Sequence, residues 1–149
     1  MRLQLGAGET QLYAGRECDT PPLAVLAVGA RSVARDFFAR DPPTALDIER
    51  AIEAIEDAIM AAGIRAHAGT VLYGDRSLVD EIAALDGARG AALPVDSVER
   101  VFGRLAAIAL GRPRSADGMP TDGEFAAALT ILREVMHHGG FAAVIGADG

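Results

Sequence analysis

Leu3-Gln4-Leu5-Gly6-Ala7-Gly8-Glu9-Thr10-Gln11-Leu12 sets the direction of the whole chain. Leu3 and Leu5 alternate with Arg2 and Gln4, the period of a half-buried strand. Gly6-Ala7-Gly8-Glu9 then turns the chain, and Thr10 to Ala14 reads as a second strand, so the pair forms an antiparallel hairpin. Gly15 to Pro22 is a loop punctuated by Gly, Asp and two prolines. Leu23-Ala24-Val25-Leu26-Ala27-Val28 is a continuous apolar run of strand length, expected to be buried on both faces.

Helices dominate the remainder. Arg31 to Ala39 forms a short helix that Asp41-Pro42-Pro43 stops. Thr44-Ala45-Leu46-Asp47 matches a capping box, and Ile48, Ile52, Ile55 and Ile59 follow at helical spacing up to Gly63. Thr70 to Tyr73 reads as a strand. Ser77-Leu78-Val79-Asp80 and Asp96-Ser97-Val98-Glu99 open two further helices, the second with Val98, Phe102, Leu105 and Ala109 as its apolar stripe. Thr121-Asp122-Gly123-Glu124 opens a fourth, with Phe125, Leu129, Leu132 and Met136 inward and Gly139-Gly140 as its stop. Phe141 to Ile145 is the last strand. The order is β-β-β-α-β-α-β, which predicts a mixed sheet with helices packed on it in one domain over residues 1–149. That is the order of the ribonuclease H-like fold.

Several segments then resemble one family in its own order. Residues 3–12 are similar to the second phosphate-binding hairpin of the exopolyphosphatase/guanosine pentaphosphate phosphohydrolase (Ppx/GppA) family, within the actin-like ATPase superfamily. Val28-Gly29-Ala30-Arg31 through Asp41-Pro42-Pro43-Thr44 resembles the family's strand, short helix and helix entry. Val71-Leu72-Tyr73-Gly74-Asp75-Arg76-Ser77-Leu78 stands where the family carries a Gly-Gly-Thr turn. Leu93 to Arg100, Leu132 to Met136 and Val144 to Gly149 resemble its later helices and last strand. The resemblance covers only the second half of the family's catalytic core. It implies one ribonuclease H-like half of an actin-like core, without the first half and its catalytic carboxylate.

The resemblance implies vestigial phosphate contacts at Gly6, Ala7, Gly8, Thr10 and Ser77. Glycines suit such a loop because backbone amides then approach phosphate oxygens without obstruction. The departures are chemical. Gln4 replaces an Asp expected to hold Mg²⁺ or its water, and an amide is a weaker partner for a hard cation. Glu9 replaces a Ser and Gln11 a Glu, while Asp75-Arg76 replaces Gly-Gly. Glu9 and Asp75 bring negative charge to two points of phosphate approach, and two like charges about 4 Å apart repel by ~4 kcal/mol at an effective dielectric near 20. With Asp148 they also form a candidate acidic or metal cluster, although solvated loop acids are the simpler reading.

Other candidates are weaker. His137-His138 are adjacent on a helix and point about 100° apart, so complementing the helix C-terminus accounts for them better than a metal pair does. His67 sits in an Ala/Gly loop with no evident partner. Cys18, flanked by Glu17 and Asp19, lacks the setting of a catalytic thiolate. Arg31 and Arg35 can meet an anion, but a solvated helix face explains them.

Composition narrows the function. The 149 residues hold 14 Lys+Arg, 21 Asp+Glu and a formal net charge of -7. Every cation is Arg, which removes phosphate-binding and Schiff-base lysines. The acidity argues against nucleic acid. A single Cys permits no internal disulfide and no Cys/His spacing suits zinc, so the expected setting is cytoplasmic. No run reaches membrane-spanning length, and no signal-like apolar run opens the sequence. The expectation is a degenerate, non-catalytic binding or regulatory module with no catalytic residue and no cofactor. Its exposed face would meet a second copy or a partner domain. The alternative is a phosphoanhydride hydrolase, with Mg²⁺, that needs a missing half.

Overall fold

The computed structural model describes residues 1–64, 70–114, 118–120 and 122–148. His67, Thr121 and Gly149 lie outside the described residues. The strands are β1 (Arg2–Leu5), β2 (Thr10–Tyr13), β3 (Ala24–Leu26), β4 (Val71–Asp75), β5 (Ala92–Pro94) and β6 (Ala143–Ala147). The helices are α1 (Ala30–Phe37), α2 (Ala45–Ala62), α3 (Arg76–Asp86), α4 (Val95–Ala109) and α5 (Gly123–Gly139).

One six-stranded mixed sheet runs β3-β2-β1-β4-β6-β5. The β1–β2 hairpin pairs Leu3 with Leu12 and Leu5 with Thr10. β1, β4 and β6 are parallel, and β2, β3 and β5 are antiparallel to their neighbours. The two-residue period of the strands sends Leu3, Leu12, Leu26, Leu72, Leu93 and Val144 to one face, where all are buried. The helices cover that face and share a single core with it.

Helix α5 is the centre of the helical layer and contacts α1, α2, α3 and α4. Phe125 to Leu132 is buried without a break, as expected for a helix apolar on all sides. The stripe expected at Phe125, Leu129, Leu132 and Met136 is therefore only part of its buried surface. Gly63 and Gly140 close α2 and α5 in the left-handed region, at φ 66° and 68°. At the start of α2 the Thr44 hydroxyl accepts from the Asp47 amide at 3.1 Å, and Asp47 accepts from the Thr44 amide at 2.8 Å.

Three expectations need correction. Of the apolar run Leu23–Val28, only Ala24–Leu26 is strand, and it lies at the edge of the sheet instead of being buried on both faces. Val25 is 45% exposed and Leu23 61%, because β3 has no outer neighbour and the helices cover only one face. Strand β5 is absent from the expected order, since three residues ending in Pro carry almost no strand signal. Helices α3 and α4 start earlier than Ser77 and Asp96: Asp75 caps α3, and α4 follows Pro94 with no side-chain cap.

Candidate functional site

Parallel strands end on the same edge of a sheet, and helices that follow them begin there. In this chain β1, β4 and β6 bring three segments to one edge: Gly6–Glu9, Asp75–Ser77 and Ala147–Asp148. The N-termini of α1, α3 and α5 reach the same place. A cavity of about 220 Å³ opens between them, lined by Leu5, Ala30, Asp75, Ser77, Leu78, Glu81, Asp122, Glu124, Phe125 and Ala128. Four of those residues are carboxylates and none is a cation.

Each of the three helix N-termini is already engaged by an oxygen of the chain. At α1, the Ala30 amide donates to the Gly6 carbonyl at 3.0 Å, and the Arg31 and Ser32 amides donate to the Ala7 carbonyl at 3.1 and 3.0 Å. The hairpin turn therefore caps α1 with its backbone. At α3, Asp75 Oδ1 accepts from the Leu78 amide at 3.0 Å and from the Ser77 hydroxyl at 2.5 Å. At α5, Asp122 Oδ1 accepts from the Glu124 amide at 2.9 Å. A helix N-terminus attracts anions through its unpaired amides and partial positive charge. Here oxygens of the chain occupy that role three times.

Burial opposes ionisation of Asp75. Hydrogen bonds from Ser77 and Leu78, with the Arg2 charge, outweigh it and hold the carboxyl below its ordinary value. The cap is therefore anionic at neutral pH.

The expected phosphate contacts divide into two groups. Gly6, Ala7 and Gly8 form the turn, and the Gly6 amide donates to the Glu9 carbonyl at 2.9 Å. Among the described residues, the amides of Ala7, Gly8 and Glu9 meet no backbone carbonyl. Thr10, by contrast, is fully buried and its hydroxyl donates to the Val28 carbonyl at 2.7 Å, which pins β2 to the segment entering α1. Ser77 lines the cavity, but its hydroxyl serves Asp75.

Glu9 and Asp75 do not converge. Glu9 shares the outer sheet face with Gln11 and Tyr13, and its carboxylate accepts from Gln11 Nε2 at 2.5 Å. It lines a separate recess of about 160 Å³ with Gln4, Leu5, Gly6 and Gln11. Asp148 takes Arg76 at 2.6 Å on the surface, so Arg76 is not free to balance Asp75. Arg31 pairs with Glu124 at 3.1 Å and Arg35 with Asp36 at 2.7 Å, so these two do not form a joint anion site. Cys18 is exposed. Among the described residues, the one set of three ligating side chains within 4.8 Å lies elsewhere, on α2 and α5: Glu56, Glu134 and His138. Sequence reasoning treated His138 only with His137. The four-residue spacing of Glu134 and His138 was the available signal, and the Glu56 contribution from another helix left none.

No family model matches the sequence, and no curated protein matches it. Solved structures do. The type II crystal structure of the Aquifex aeolicus Ppx/GppA phosphatase aligns with a TM-score of 0.72 at 19% identity, over 99% of this chain and 52% of its own. A second structure of the Aquifex aeolicus family member gives 0.71 at 18% identity, over 99% and 51%. An exopolyphosphatase-like protein gives 0.66 at 16% identity, over 99% and 55%. The chain thus has the fold of about half of a Ppx/GppA protein and spans about half the length of the structures it matches.

Proposed function

We propose that this chain is a ribonuclease H-like half of a Ppx/GppA-type core that works as a binding or regulatory module and does not itself hydrolyse phosphoanhydrides. The observation that carries this reading is the self-capped cleft. Gly6 and Ala7 carbonyls, Asp75 and Asp122 occupy the three helix N-termini that would otherwise attract an anion. Asp75, Glu81, Asp122 and Glu124 line the same cavity, and of these Glu124 is paired with Arg31 at 3.1 Å. A phosphate entering there would displace caps and meet several carboxylates at once. Catalysis by electrostatic stabilisation needs the opposite arrangement, with donors aimed at developing negative charge.

A module of this kind acts through contacts. Edge strand β3 presents Val25 to solvent, and Leu23 just before it is exposed as well. Exposed sheet edges and apolar patches are sites of association. The simplest form is a two-fold dimer of this chain, or the same face against a partner domain. Among the described residues no helix is long and apolar enough to cross a membrane. With the single exposed Cys, a cytoplasmic setting is part of the proposal.

Among the described residues the amides of Ala7, Gly8 and Glu9 meet no backbone carbonyl, which favours a second reading, in which the turn still meets phosphate and a partner supplies the missing carboxylate. Phosphate release separates the two. The chain with Mg²⁺ and polyphosphate or guanosine pentaphosphate is expected to release none above the uncatalysed background. Turnover by the chain alone would overturn the proposal. Light scattering after size exclusion is expected to give twice the monomer mass; a monomer at high concentration would remove the dimer.

A further inference from the structure

We propose that Glu56, Glu134 and His138 form a binding site for a first-row divalent metal ion, with Zn²⁺ as the best match, that ties α2 to α5. The site lies far from the cleft. Glu134 is eleven residues beyond Gly123, about 16 Å down α5 at 1.5 Å per residue.

The donors come from two helices. Glu134 and His138 are four residues apart on α5 and so share one face of it. Glu56 reaches them from α2, which packs on α5. Each offers one ligand atom, and all three atoms lie within 4.8 Å of one another. His138 Nε2 is 3.2 Å from Glu56 Oε1 and 3.7 Å from Glu134 Oε2. In a tetrahedral site with bonds of about 2.0–2.2 Å, ligand atoms stand about 3.3–3.6 Å apart. The two measured separations bracket that edge. A hydrogen bond accounts for the first pair but not for the second, which is too long.

Glu134 supplies an independent indication. Its side chain is 3% exposed, in the middle of the most buried helix. A buried carboxylate is costly unless its oxygens are engaged. Arg133 donates to Oε1, and Arg133 is itself shared with Glu99 at 2.9 Å. The other oxygen, Oε2, is the one that faces His138, at 3.7 Å. A donor set of two carboxylates and an imidazole suits zinc and its neighbours better than the all-oxygen shell that Mg²⁺ or Ca²⁺ takes. His138 is 31% exposed and Glu56 43%, so an ion has a path in and water can complete the shell.

The test is metal binding by the whole chain, stripped of metal and carrying Cys18→Ser so that the exposed thiol does not compete. Zn²⁺ is titrated by calorimetry and Co²⁺ by its visible absorption, with Tm followed in parallel. One ion per chain, a tetrahedral Co²⁺ spectrum and a Tm that rises with Zn²⁺ are expected. Glu56→Gln and His138→Gln alter partly exposed residues and should fold. Each is expected to weaken binding at least tenfold, since losing even an outer-shell partner costs about 10–100-fold. His137→Gln is expected to bind as the parent does. Absence of binding at about 100 μM metal, or equal binding by the parent and both variants, would overturn the proposal.

Discussion

Replacing Gly29 with Ala tests the joint between the hairpin turn and α1. Gly29 has φ -138° and ψ 170°, an extended conformation open to any residue, so its backbone gives no reason for glycine. Space does. A Cβ there would lie 2.5 Å from the Gly6 carbonyl oxygen, 2.6 Å from Ala7 C and 2.6 Å from Gly8 N. Carbon prefers neighbours at about 3.5–4.0 Å, so each contact is short by about 1 Å. All three atoms are backbone, and no side chain can rotate away. Either the turn is pushed off α1 or the strain is retained. The first outcome loses three hydrogen bonds of 3.0–3.1 Å, each worth about 0.5–1.5 kcal/mol net. The second costs about 1–3 kcal/mol, the usual range for overpacking. The two outcomes together span about 1–4.5 kcal/mol, or roughly 3–14 °C in Tm for a chain of this size. Gly8→Ala is the control, because no atom lies within 4 Å of its Cβ and its φ is not left-handed. It is expected to shift Tm by less than about 2 °C. Thermal and urea unfolding monitored by circular dichroism measure both. Gly29→Ala within 2 °C of the parent, or a loss no larger than that of Gly8→Ala, would refute the reasoning.

Thr10→Val removes the hydroxyl that serves the Val28 carbonyl and is expected to cost about 1–3 kcal/mol by urea unfolding. Thr44→Ala removes the hydroxyl that accepts from the Asp47 amide, while the backbone amide of residue 44 keeps its bond to Asp47, and is expected to cost about 1 kcal/mol, read as a lower Tm. Asp75→Asn tests the α3 cap through pH. The folded-state pKa of Asp75 is depressed, so its stabilisation is present above the unfolded value near ~3.9 and is lost as pH falls through the folded one. The variant is expected to be less stable than the parent at pH 7 and to converge with it in acid; a constant difference between pH 7 and pH 2.5 would contradict the cap.

The parts of the fold carried by local chemistry were legible in the sequence. The hairpin followed from alternation around Gly6-Ala7-Gly8-Glu9. The start of α2 followed from Thr44 and Asp47, and its end from Gly63. What depended on neighbours was not legible. Leu23–Val28 reads as a central strand in isolation, and only the sheet order makes it an edge. Asp75 was legible as an added negative charge but not as a cap, because the start of α3 moved two residues toward it. Thr10 fits a phosphate contact by position, yet the pleat turns its hydroxyl into the core. Glu9 and Asp75 stand close to their expected places in the chain but on separate recesses. The Glu56, Glu134 and His138 set spans helices some eighty residues apart, a juxtaposition that only packing creates.

The central claim is that the cleft at the ends of β1, β4 and β6 is closed to phosphate by the chain's own oxygens. Titration of the chain with inorganic phosphate and with pyrophosphate, each with and without Mg²⁺, tests it most directly. Amide resonances of Gly6, Ala7, Gly8, Ser77 and Gly123 report on the cleft. The account predicts no saturable shift at millimolar ligand in any arm. Saturable movement of Ala7 and Gly8 together with Ser77, at ligand concentrations of about 100 μM or below, would contradict it.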